Sequence, residues 1–269
     1  MSLSQTPRKR RRRVKLTVAY DGTDFRGWAA QTGQRTVQGT LKEAIRRVSG
    51  EDAQLDGASR TDSGAHAEGQ VCHFDTEVEQ TEMWLRALND ILPRDLRVLR
   101  SQDVPDEFNS RFCARDRFYR YRILCGTIDP FRTRFVSETH RELDLNAMQQ
   151  AAKFLVGKHD YRAYTEELDP SVENTVRDMR SVSVSQHRDE IWIDIVGTAF
   201  LRGMMRRMAG ALFEVGKGQR PIHEVGDLLT AKRKHTKLPV VLPAKGLCLK
   251  KIRYGRHPRD NRKNASFDE

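Results

Sequence analysis

At 269 residues, with 38% hydrophobic and 32% charged content, the chain is long enough for one large domain or two small ones around a buried core. No apolar run approaches the length of a membrane helix and none follows the N-terminal arginines as a secretory signal would, which sets aside membrane and secreted classes and leads us to expect a cytoplasmic protein. The net charge of +11 and pI of about 9.7 favour a polyanionic partner over a neutral metabolite.

The charge is concentrated at the ends. Residues 1–13 hold Arg8, Lys9 and Arg10 to Arg13 without an acid, and residues 253–263 set five cations against Asp260. Both read as solvated arms, with RNA or DNA phosphates as their target.

The first predicted element is a half-buried strand over 14–20, where Val14, Leu16, Val18 and Tyr20 alternate with Lys15 and Thr17. Asp21-Gly22-Thr23-Asp24 reads as a turn, and Gly27-Trp28 closes the loop. Val37, Leu41, Ala44, Ile45 and Val48 recur at helical spacing, with Thr36 as cap and Gly50 just past the end. Next come a strand over 70–76, a helix from Trp84 to Leu92 that Pro93 stops, and a strand over 96–102. A second half begins after Phe112 with a strand from Phe118 to Leu124. A helix through Leu145, Met148, Ala152 and Leu155 follows, capped by Asp144 and left at Gly157. Arg180–Ser185 and Ile191–Val196 form a hairpin across His187-Arg188-Asp189. Helical period returns from Phe200 to Val215 and from Pro221 to Thr230, and a strand over 246–252 closes the chain.

This order predicts an α+β fold, a largely antiparallel mixed sheet with flanking helices, whose two halves share one sheet across a cleft. The expected divisions are a disordered basic arm over 1–13, an N-terminal half over 14–112, a C-terminal half over 113–254 and a polar basic tail over 255–269.

Three segments mix polar or basic groups with apolar ones. Ser59-Arg60-Thr61-Asp62-Ser63-Gly64 sets one carboxylate, Asp62, in a tight turn just ahead of a strand, which predicts a sheet edge facing a cleft. Alone, such an Asp is most often a turn former that bonds nearby amides. In Arg117–Arg122, alternation puts Arg117, Tyr119 and Tyr121 on one face. That face would either stack a nucleobase and bind its phosphate, or be core with arginines at the rim. In Phe200–Arg207, Arg202 and Arg206 lie one turn apart while Met204, Met205 and Met208 read as core. An arginine on the first turn of a half-buried helix requires an anion, phosphate or carboxylate.

Cys72, Cys113, Cys125 and Cys248 form no CxxC pair and read as reduced, mostly buried residues with no structural metal. His66 and His73 read as structural, Asp21 and Asp24 as shaping the first loop. The carboxylates show no cluster of the kind a metal-dependent nuclease requires.

In order along the chain, five elements closely resemble the TruA family of tRNA pseudouridine synthases. They are Tyr20-Asp21-Gly22-Thr23 with Gly27-Trp28, Arg60-Thr61-Asp62-Ser63-Gly64-Ala65-His66-Ala67, Tyr119-Arg120-Tyr121, Phe200 to Gly210, and Lys245-Gly246-Leu247. The resemblance spans roughly residues 14–254. It departs from the family at Ser59, usually Gly, at Ser63 and Ala65, and at Gly203-Met204-Met205-Arg206, where the family has His-Met-Val-Arg.

The resemblance implies that Asp62 is the catalytic aspartate, Tyr119 the tyrosine that contacts the target base, and Arg206 the arginine paired with the aspartate. It makes Arg60 an RNA contact that helps hold the target nucleotide out of the stack. Arg202 and Arg207, in the basic helix start, are expected as further RNA-binding residues. It also implies the pseudouridine synthase fold, with two related halves around a central basic cleft, a homodimer, and the anticodon arm of tRNA as substrate. No cofactor and no metal are expected.

The chemistry suits these residue types. Converting uridine to pseudouridine breaks the C1′–N1 bond, turns the freed ring and joins C1′ to C5, with no net redox change. A carboxylate can act as nucleophile toward sugar or base, an opposed guanidinium favours its charged form, and a tyrosine can stack on the ring and help remove the C5 proton. A stacked uridine must first be everted, at a cost of a few kcal/mol that phosphate contacts offset. The rival reading is a non-catalytic basic RNA-binding protein or RNA chaperone using the same surface.

Overall fold

The computed structural model describes residues 11–79, 83–165, 174–230 and 237–255. They form one ten-stranded sheet with helices packed against it. The strands are β1 (Arg12–Tyr20), β2 (Asp56–Gly57), β3 (His66–Thr76), β4 (Leu96–Val104), β5 (Asp116–Cys125), β6 (Ser137–Thr139), β7 (Gly157–Asp160), β8 (Val176–His187), β9 (Glu190–Gly197) and β10 (Leu247–Arg253). The helices are α1 (Val37–Ser49), α2 (Met83–Ile91), α3 (Leu145–Ala152), α4 (Met204–Gly216) and α5 (Glu224–Asp227). The sheet order is β4-β1-β3-β10-β5-β9-β8-β7, with β2 on β3 and β6 on β5. Among the described residues only β3–β10 and β5–β6 pair in parallel, so the α+β class and the largely antiparallel sheet are as expected.

Local chemistry explains the elements. Thr36 Oγ1 accepts from Gly39 N at 3.2 Å and Gly50 ends α1 at φ +76°, while Asp144 Oδ1 caps α3 by accepting from Ala147 N at 2.9 Å. Each such cap stabilises its helix by about 1 kcal/mol. Val14, Leu16 and Val18 are fully buried, in the same core cluster as Leu41 and Ile45 of α1 and Trp84 and Leu88 of α2. Each contributes about 1.5–3 kcal/mol by leaving water. Met204, Met205 and Met208 are core, as their spacing predicts.

Several expectations need correction. Asp62 does not stand at a sheet edge, because β3 lies inside the sheet between β1 and β10. β10 comes from the far end of the chain and pairs through Cys248↔His66 and Leu249↔Ala67, a contact no local pattern announces. The first strand begins at Arg12, inside the expected arm, since Arg13 pairs with Asp75 at 2.7 Å and Arg12 with Asp103. Residues 1–10 of the arm, and the tail from 256, lie outside the described residues. The helix expected from Phe200 starts at Met204, because Gly203 takes φ +66° and interrupts the helical path. Pro221 to Thr230 holds only the short α5 among turns. Of the cysteines only Cys72 is buried, the other three being half-buried free thiols.

Candidate active site

Asp62 sits in a loop whose backbone is held from several sides. Trp28 N donates to Thr61 O at 3.1 Å, Gly64 N to Phe25 O at 3.2 Å, and Ala65 N closes the turn on Asp62 O at 3.1 Å. The buried Tyr20 hydroxyl meets Thr61 Oγ1 at 2.8 Å. Gly27 takes φ +84°, and a Cβ there would lie 2.8 Å from Thr61 O, so the first loop can lie against the second only with glycine at that position. The Tyr20-to-Trp28 segment is therefore the brace of the Asp62 loop.

His66 is part of the same brace. Its Nδ1 accepts from Gly22 N at 3.0 Å, so Nε2 carries the proton and faces Arg134 O at 2.9 Å and Lys245 O at 3.1 Å. Burial holds the imidazole below the ordinary 6.5, against the opposing charge of Asp21. The folded state thus binds fewer protons than the unfolded chain, and the stability this gives is full above pH 6.5 and is lost as pH falls. We expect the melting temperature to drop between about pH 7 and pH 5, and His66→Gln to melt lower but with a shallower slope. Some slope should remain because His73 is also held low by burial. An unchanged slope in the variant would rule out His66 as the source.

Arg206, on the first turn of α4, reaches across to the loop. Its Nη1 donates to Asp62 Oδ2 at 3.3 Å and its Nε to Leu242 O at 2.7 Å. The Asp62 and Arg206 side chains are 24% and 18% exposed, so the pair is sheltered yet open to an incoming molecule. The segment 237–243 that supplies Leu242 O is a strap held by buried charge. Glu214 accepts from Arg220 at 2.8 Å and from Val240 N at 3.3 Å, while Arg220 Nη2 donates to Lys237 O at 2.8 Å.

On β5, Tyr119 is buried, its hydroxyl 2.6 Å from Ser59 Oγ and its ring edge-on to Phe200 at 5.0 Å. Burial, seconded by the charge of Asp62, pushes the phenol up to about 12. Tyr121 shares this face but is structural, donating to Pro243 O at 2.7 Å.

The expected site residues separate. Asp62 and Arg206 meet, and Tyr119 lines the same loop through Ser59. Arg60 is exposed two residues from Asp62. Arg202 is exposed just before Gly203, its carbonyl accepting from Thr165 Oγ1 at 2.9 Å. Arg207 is turned to the strap, with Nη1 on Pro239 O at 3.0 Å. Arg117, read as a rim or phosphate-binding residue, is instead a buried hub. It donates to Ala58 O at 3.1 Å, Arg111 O at 2.8 Å and Thr198 O, tying together three loops around the site. Sequence reasoning missed this role and those of Ser59 and the strap, because nothing in a periodic pattern tells which carbonyls a buried guanidinium will find.

A sequence profile described as tRNA pseudouridine synthase matches residues 16–113 and 151–255, segments that carry Asp62 and Arg206. The chain belongs to the tRNA pseudouridine synthase family. Its reaction class is therefore an isomerisation. Over 245 residues this synthase is 40% identical to tRNA pseudouridine synthase A of Brevibacillus brevis, covering 90% of this chain and 100% of that one. It is 37% identical over 257 residues to the protein of the same name from Lactobacillus delbrueckii subsp. bulgaricus, covering 93% and 97%. To that of Solidesulfovibrio magneticus it is 39% identical over 252 residues, covering 90% and 91%. Tyr119 falls between the two matched segments of the synthase.

Proposed function

We propose that this synthase converts uridine to pseudouridine in the anticodon stem-loop of tRNA, with Asp62 as nucleophile and no cofactor. The observation that carries the reading is the Arg206–Asp62 contact at 3.3 Å in a half-open setting. The guanidinium engages Oδ2 and so orients the carboxylate, leaving Oδ1 for attack on the everted nucleotide, at ribose C1′ or uracil C6. The C1′–N1 bond breaks, C1′–C5 forms, C5 gives up its proton and N1 gains one, so the sum requires no oxidant. Tyr119, its hydroxyl held 2.6 Å from Ser59 Oγ, seats the ring and helps remove the C5 proton. Arg60 and Arg202, both exposed, supply RNA contacts that offset base eversion, while Arg207 acts on the strap. We further propose a cytoplasmic homodimer.

The test is to incubate unmodified tRNA with the purified chain, without added metal or cofactor, and to map pseudouridines by nucleotide. New pseudouridine in the anticodon arm is expected. Modification confined to another arm would overturn the assignment of the substrate region. Binding without any modification would favour the non-catalytic reading. Sedimentation of the same sample tests the dimer.

A further inference from the structure

Beside the catalytic loop, the turn between β4 and β5 presents Phe112 with 79% of its surface exposed. An apolar ring so open marks a contact surface when its setting is built rather than loose, and this one is built. Asn109 Oδ1 accepts from the N–H groups of both Arg111 and Phe112 at 3.0 Å, and Cys113 N donates to Asn109 O at 2.9 Å. The Arg111 guanidinium lies 5.6 Å from the centre of the Phe112 ring.

This turn is fastened to the catalytic loop. The single nitrogen Arg117 Nη2 donates to Arg111 O at 2.8 Å and to Ala58 O at 3.1 Å, and Ala58 stands two residues before Arg60 and four before Asp62. Arg60 and Arg111 are both exposed, and among the described residues neither forms an ion pair with a carboxylate. Arg120, Arg122, Arg132 and Arg134, elsewhere in the C-terminal half, all do.

We infer that Arg111 and Phe112 form a second RNA-contact element: Phe112 stacks on an unpaired base of the bound tRNA and Arg111 meets a neighbouring phosphate, continuing the surface that begins at Arg60. The inference rests on the reading that tRNA is the substrate. Exposed aromatic rings flanked by cations suit single-stranded nucleotides, whose bases offer π faces beside negative charge. The exposed cations Arg60 and Arg111 make a phosphate-bearing partner the complementary occupant of this face.

The experiment compares wild type with Phe112→Leu, Phe112→Trp and Arg111→Gln, measuring tRNA affinity across a salt series, single-turnover pseudouridine formation at saturating tRNA, and oligomeric mass. Phe112→Leu should weaken binding about tenfold with an unchanged salt slope, and Phe112→Trp should restore it. Arg111→Gln should lower the salt slope by about one. The saturated rate should stay within about twofold in all three variants, because none touches Asp62. Wild-type affinity in Phe112→Leu, or a change of oligomeric mass on that substitution, overturns the inference while leaving the catalytic reading intact. A wild type that forms no pseudouridine in tRNA defeats the catalytic reading instead.

Discussion

Asp62→Ala should lower single-turnover pseudouridine formation by at least about a thousandfold while changing tRNA affinity by no more than about threefold. The two effects separate because the loop is held by groups other than the Asp62 side chain. Thr61 is bonded to Trp28 and Tyr20, Gly64 to Phe25, and Ser59 O accepts from Gln70 Nε2 at 2.5 Å, so the truncated loop keeps its backbone path. What disappears is the carboxylate itself, and a nucleophile has no substitute in a methyl group. Removing one negative charge from a surface that binds phosphates does not weaken RNA binding. Asp62→Asn sharpens the measurement, since it keeps size and a polar oxygen but not the charge. A rate within tenfold of wild type in either variant would remove Asp62 from the nucleophile's role.

The second large effect is expected at Arg206. Arg206→Gln should slow the saturated reaction by about a hundredfold, corresponding to roughly 2.7 kcal/mol of lost transition-state stabilisation. Arg206→Lys should recover only part of it. The arginine fork bonds Leu242 O and Asp62 Oδ2 at once, whereas one ammonium on a flexible stem cannot hold both at the same geometry. The strap that supplies Leu242 O is itself set by close packing on α4, for a Cβ at Gly210 would stand 1.9 Å from Val240 O. Full activity in Arg206→Lys would show that charge alone suffices, and full activity in Arg206→Gln would show that the guanidinium has no part in the reaction.

Much of the fold was legible in local patterns. The alternation of Val14, Leu16 and Val18, the Thr36 and Asp144 caps and the Gly50 exit each act over a few residues, and each appears where the pattern put it. The errors share one physical origin. Helical spacing runs unbroken from Phe200 to Val215, yet a left-handed Gly203 delays the helix to Met204. The arginines at 12 and 13 look like arm, yet Asp75 and Asp103 draw them into β1. Alternation placed Arg117 and Tyr119 together on one face of β5, but whether that face is open or closed depends on Phe200, Thr198 and Ala58, which lie far away in sequence.

The order of residues alone determined the elements, the acid to watch and the likeness that named Asp62, Tyr119 and Arg206, because periodicity, capping and short motifs are properties of neighbouring residues. Only the tertiary structure decided that Asp62 stands at the end of central strands, that a guanidinium 144 positions later closes to 3.3 Å, and that Phe112 faces outward on a fastened turn. Those outcomes depend on the pairing of β3 with β10 and on carbonyls gathered from distant loops, long-range contacts whose loop-closure cost is met only when the whole sheet assembles.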